Sequence, residues 1–129
     1  PGIVEAWIAE RALLSGDPGK AREIAEQTLA FGRGATIEEP PYELPVLVEA
    51  IAALEDWPAL AAILPVARER APYLAWLAPA IERAEAARLA AQGDGETARA
   101  TLDRALATYR RLGMEAEVTR TQDRLSALA

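Results

Sequence analysis

"GDPGK", residues 16–20, admits two readings, a phosphate-binding loop or a bend between two helices. A phosphate loop of the GxxxxGK[ST] kind rings phosphates with backbone amides and sends a Ser or Thr hydroxyl to magnesium. Here Gly16 and Gly19 are only three residues apart, and Ala21 stands where the hydroxyl belongs. Asp17 is instead a strong helix N-cap type, and Pro18 follows it at the first helical position, where a missing N–H costs nothing. The stretch reads as a bend.

It has relatives along the chain. "EDWPA" at 55–59 and "GDGET" at 93–97 place Asp56 and Asp94 at separations of 39 and 38 residues from the preceding aspartate. Four residues after the aspartates come Ala21, Leu60 and Ala98; eight after come Ala25, Leu64 and Leu102; eleven after come Thr28, Ala67 and Ala105. Eight before come Ala9, Val48 and Ala86, and five before come Ala12, Ile51 and Leu89. Small or apolar residues at matched offsets on both sides of one turn are the mark of a helix–turn–helix repeat.

Periodicity near 3.6 residues predicts about seven helices. They fall over 3–15, from Pro18 to about Phe31, over 44–54, from Asp56-Trp57-Pro58 onward, over 79–92, over 95–112 and over 115–128. In the first, Val4, Ile8 and Ala12 share one expected face, with Glu10 opposite. Prolines 40, 41 and 45 bar a regular helix across "GRGATIEEPPYELP", and Pro65 is expected to bend the fourth helix. "APYLAWLAP" is expected to form a short helical piece. The class is all-α: hydrophobic residues are 51% of the chain but aromatics only 5%, and alanine and leucine, both strong helix formers, supply most of the difference.

Composition removes several functions. The chain has neither cysteine nor histidine, so disulfides, thiol chemistry, Cys-ligated metals and Ser-His-Asp triads are excluded. A net charge of −6 repels a nucleic-acid backbone on average. Charges interrupt every candidate membrane span, and "PGIVEAWIAE" lacks a basic leader. A cytoplasmic, non-enzymatic chain without cofactor or metal is the expectation. A start without Met, almost inside a helix, suggests a fragment of a longer protein. Ile3, Val4 and Trp7 would then be an uncovered apolar end, at which an isolated fragment is expected to form a homodimer.

"LLSGDPGKAREIAEQTL" (13–29) and "LAAQGDGETARATLDRAL" (89–106) resemble the tetratricopeptide repeat (TPR). The resemblance implies a solenoid of helical hairpins in three diverged repeats, with a terminal capping helix. The period exceeds the usual 34 residues, so irregular repeats are expected. Residues 71–128, above all "ALATYRRLGMEAEVTRTQDRLSAL" (105–128), look like the C-terminal region of large bacterial signalling proteins. Those include nucleotide cyclases and LuxR-type regulators with AAA/STAND-type ATPases. Such a region implies a regulatory module for protein–protein interaction, its partner an amphipathic helix or other domains of the same polypeptide. A small-ligand (inducer) sensor is the alternative.

The first helices of TPR repeats line a groove. Carried over, its lining is Ile3, Ala6, Glu10, Leu13 and Leu14, then Tyr42, Pro45, Glu49, Ala52 and Ala53, then Ala80, Arg83, Ala87, Ala90 and Ala91. Glu10, Glu49 and Arg83 are expected to put a charged row along it. The chain has no asparagine, so the carboxylate clamp of chaperone-binding TPR domains is not expected in its usual form. Tyr73 with Trp76 is the candidate aromatic contact. Glu38-Glu39 reads as a solvated acidic pair, because adjacent side chains of an extended segment point apart. Arg104, Arg110 and Arg111 read as charges complementing a helix C-terminus.

Overall fold

In the computed structural model, which describes residues 2–30 and 39–128, the three aspartate bends are built alike. The N–H groups of Asp17, Asp56 and Asp94 donate to the carbonyls of Ala12, Ile51 and Leu89, at 2.9, 3.2 and 2.9 Å. One residue earlier, those of Gly16, Glu55 and Gly93 donate to Leu13, Ala52 and Ala90, at 3.1, 3.0 and 3.0 Å. This pair of bonds closes a helix end through a residue in the left-handed region. That residue is Gly16 (φ 88°), Glu55 (φ 56°) and Gly93 (φ 87°) in turn. Each aspartate then starts the next helix. One carboxylate oxygen accepts from the N–H of Lys20 (3.1 Å), Ala59 (3.2 Å) and Thr97 (3.1 Å) respectively. A fourth bend ends on Gly113 (φ 71°), with Met114 in the aspartate's place and no side-chain cap.

The described residues form α1 (Gly2–Leu14), α2 (Pro18–Ala30), α3 (Glu43–Ala53), α4 (Trp57–Arg70), a 3₁₀ turn (Ala71–Tyr73), α5 (Leu77–Ala91), α6 (Gly95–Leu112) and α7 (Glu115–Ala127). The chain is all-α, as its composition implies. The expected end of the second helix at Phe31–Gly32 and the first part of the proline-rich loop lie outside the described residues. Pro45 and Pro79 are each the third residue of their helix. In a first turn the missing N–H is no loss, so α5 begins two residues earlier than its proline suggested. Helix α4 runs through Pro65 without interruption.

Helix α3 is the centre. It packs against α1, α2, α4 and α5, and its Leu44, Leu47, Val48 and Ile51 meet Leu60, Leu64 and Ala67 of α4 and Leu77, Ile81 and Ala84 of α5. A smaller cluster joins Ala9, Ala12 and Ala21 to Val46 and Ala50. Another joins Ala86, Ala98 and Leu102 to Leu125 and Leu128 of α7. Apart from Leu89, which is half-buried, every residue at the matched repeat offsets is buried.

The expected face of α1 is corrected. Val4 and Ile8 are 45% and 52% exposed, and the packing face consists of Ala12, as expected, with Ala6 and Ala9 in place of the other two. The reason is position in the array. The residues of α3 at the same offsets as Val4, Trp7 and Ile8 are Glu43, Val46 and Leu47; all three are buried, Val46 against α1 and α2 and Leu47 in the main core with Ala25 of α2. No described element covers α1 in that way.

Glu55 sits in a conformation that costs a side-chain-bearing residue about 1 kcal/mol and costs glycine little. Glu55→Gly should therefore raise the unfolding free energy by about 1 kcal/mol, and Gly93→Ala should lower it by a similar amount. Thermal denaturation of the two variants checks both signs.

Candidate functional site

Arg83 is the centre of the polar chemistry. It projects from α5 and is only 3% exposed, a position arginine occupies only when paired. Its Nη2 pairs with Glu49 of α3. Its Nη1 donates to Glu117 (3.2 Å) and Thr121 (3.5 Å) of α7, and its Cζ lies 4.8 Å from the ring centroid of Tyr109 on α6. Four helices thus meet at one guanidinium. The two acids are shared further: Arg124 donates to Glu49 at 2.9 Å, and Arg120 pairs with Glu117.

Charge and burial compete throughout this cluster. Burial works against the charged form of Arg83, but Glu49, Tyr109 and Glu117 outweigh it and hold its pKa above the ordinary arginine value. Burial likewise pushes Glu117 up, and Arg83 and Arg120 reverse that, leaving its carboxyl below the usual range. The Tyr109 hydroxyl is held well above its ordinary value by burial, against the pull of Arg83.

Above this floor lies a cleft of about 590 Å³. Of the residues expected to line a groove, Ile3, Ala6, Glu10, Leu13, Leu14, Tyr42, Pro45, Glu49, Ala53, Ala80 and Arg83 do line it. Ala52 does not, because it is buried in the main core. Ala87 packs half-buried against that core, and Ala90 packs half-buried against the cluster of Ala86, Ala98 and Leu102. Ala91 also stays out of the cleft. The lower part of the expected groove thus lies outside the cleft.

The charged row is staggered. Glu10 and Glu49 each stand seven residues before their aspartates, whereas Arg83 stands eleven before Asp94, one helical turn displaced. The aromatic expectation also changes. Trp76 packs on Tyr42, with ring centroids 6.2 Å apart, and Tyr73 lies outside the cleft.

Trp7, Val46, Tyr109, Met114, Glu117, Arg120 and Arg124 complete the lining without having been anticipated. A signal for the α7 residues was present, since Glu117, Arg120, Thr121 and Arg124 recur at spacings of three, one and three. That stripe looks the same as a solvated face until something stands opposite it. Arg104 pairs with Glu82 at 3.1 Å, and Arg110 and Arg111 close the last turn of α6. Glu38 lies outside the described residues.

No family model, curated protein or solved structure matches this chain. What the site does must be argued from its own geometry. Among the described residues no group of three or more Asp or Glu side chains is placed to hold a metal ion. No described helix is long and apolar enough to cross a membrane.

Two predictions follow from the floor and its rim. Arg83→Leu removes the buried cation that Glu49 and Glu117 share, leaving each mostly buried carboxylate with one partly exposed arginine, and should cost about 3 kcal/mol in chemical denaturation. Glu10 behaves oppositely. Burial and the neighbouring Glu117 and Glu49 carboxylates raise its pKa, against Arg120 and Arg83. Its ionised form therefore destabilises the fold at neutral pH, a penalty that disappears as the pH falls to its ordinary value of 4.5. Glu10→Gln should raise Tm by about 2 °C at pH 7, and the gain should vanish below that value.

Proposed function

We propose that the chain is a non-catalytic interaction module, a TPR-like array of helical hairpins from a multidomain bacterial signalling protein. Its cleft receives an amphipathic helix supplied by a partner protein or by another domain of the same polypeptide. The observation that carries this reading is the apolar rim beside the cleft. Trp7, Leu14 and Trp76 border it while partly exposed, Trp7 at 62%. An extended apolar face laid along the cleft would cover all three at once, and aromatic anchors of this kind are where binding energy concentrates. The floor supports the same reading, because its arginines are already engaged by acids and need no substrate to neutralise them. The repeated bend, with first helices α1, α3 and α5 all contributing to the cleft, supports the TPR likeness.

A second reading has its own support. A volume of about 590 Å³ lies within the range of small-molecule sites, which favours an inducer-sensing role. One experiment separates the two. Amphipathic helices selected from a displayed library are titrated into labelled protein while the three indole resonances are followed. Docking predicts shifts at Trp7 and Trp76 but not at Trp57, which packs on the core outside the cleft, with affinity at least tenfold lower in Trp7→Ser. Selected helices that leave Trp7 and Trp76 unmoved would overturn docking. If small metabolites alone move Trp76, the sensor reading replaces it.

A further inference from the structure

Three glutamates and three arginines line the cleft, and all but one of the six have an ion-pair partner. Glu49 holds Arg83 and Arg124, and Glu117 holds Arg83 and Arg120. The sixth, Glu10, makes no hydrogen bond or ion pair with any described residue. Its setting is specific. Ile3, Ala6, Trp7, Leu13 and Leu14 stand three, four or seven residues from Glu10 and line the same cleft, so one carboxylate interrupts an otherwise apolar stripe of α1. A half-buried carboxylate without a partner is costly, and here two other carboxylates stand near it.

We infer that Glu10 is the recognition point for a cation: the occupant of the cleft presents one ammonium or guanidinium group, carried on an apolar body that lies along the α1 stripe. The assignment deepens the docking reading and rests on it. Three observations favour a cation over an anion. Each arginine of the floor already holds a carboxylate of this chain, whereas Glu10 holds no cation, so it is the acid of the cleft with its pairing capacity unused. Trp7, Tyr42 and Trp76 border the cleft, and aromatic faces attract cations. The chain's net charge of −6 also draws cations towards it. Attraction to a paired cation would offset the burial and the repulsion from Glu117 and Glu49 that raise the Glu10 pKa.

Three probes with the same tail isolate the head group: n-octylammonium, n-octanol and n-octanoate. Binding is followed by tryptophan fluorescence and calorimetry at pH 7.5 and low salt. Octylammonium should bind at least tenfold more tightly than octanol, and octanoate more weakly than either. In Glu10→Gln the ammonium advantage should fall to less than twofold while octanol affinity is unchanged. Octanol thus reports on the integrity of the cleft. Glu23→Gln, which removes the same charge from the exposed side of α2, should keep the advantage. An advantage that survives in Glu10→Gln, or that Glu23→Gln also abolishes, overturns the assignment. Equal binding of all three probes overturns it too, while leaving an apolar docking cleft. If none of the three binds, the docking reading fails, and this assignment with it.

Discussion

The backbone at each bend sets everything downstream. A helix that ends through two carbonyl-directed bonds and a left-handed residue, and restarts on an aspartate, must reverse its direction within a few residues. The reversal brings Ala9 and Ala12 against Ala21, and Ala86 against Ala98 and Leu102. Small side chains at these sites let the two helices approach closely, while larger ones in the middle unit, Val48, Ile51, Leu60 and Leu64, build the main core. The middle bend is also tied to its neighbour, since Arg22 of α2 donates to Asp56 at 2.8 Å. That contact helps hold the Asp56 carboxyl below its ordinary pKa.

Arg83 converts this stack into a cleft with a floor. The bends alone account for α1 through α6; they do not explain why the side chains of α7 reach across to α3. The explanation is electrostatic. A buried guanidinium needs acids close to it, and Glu49 supplies one from α3 while Glu117 supplies the other from α7. Arg124 of α7 then reaches Glu49 in turn. The last helix is thereby made a wall of the cleft, and the part of the groove bordered by Ala87, Ala90 and Ala91 is taken up by packing. What stays open is the half between α1 and this ionic floor.

The legible part of the fold was the local part. Asp17-Pro18 and Gly93-Asp94 announce their bends because capping chemistry is a property of neighbouring residues, and the offsets around them located about half of the core. Beyond Ala9 and Ala12, burial on α1 was not legible. Val4 and Ile8 are as apolar as Leu47, and only the absence of a covering neighbour leaves them exposed. Most of the groove lining on α1 and α3 was readable once a hairpin array was assumed. The contributions of Glu117 and Arg124 were not, because they follow from contacts between residues 34 and 75 positions apart in the chain, and Arg120 joins the cleft through its pairing with Glu117. Tyr42 rather than Tyr73 partners Trp76 for the same reason: sequence proximity does not decide which ring faces which.

The central claim is that α1, α3, α5 and α7 form one preformed cleft held by Arg83. Native-state hydrogen exchange of the free protein tests it most directly. The α7 amides from Thr121 to Leu125 should exchange through the same cooperative opening as those of α5 around Arg83, with the same dependence on denaturant. Exchange of those α7 amides by local fraying, at a much lower free energy and without denaturant dependence, would contradict it. In that case α7 would be a loose terminal helix, and the cleft would lack its fourth wall.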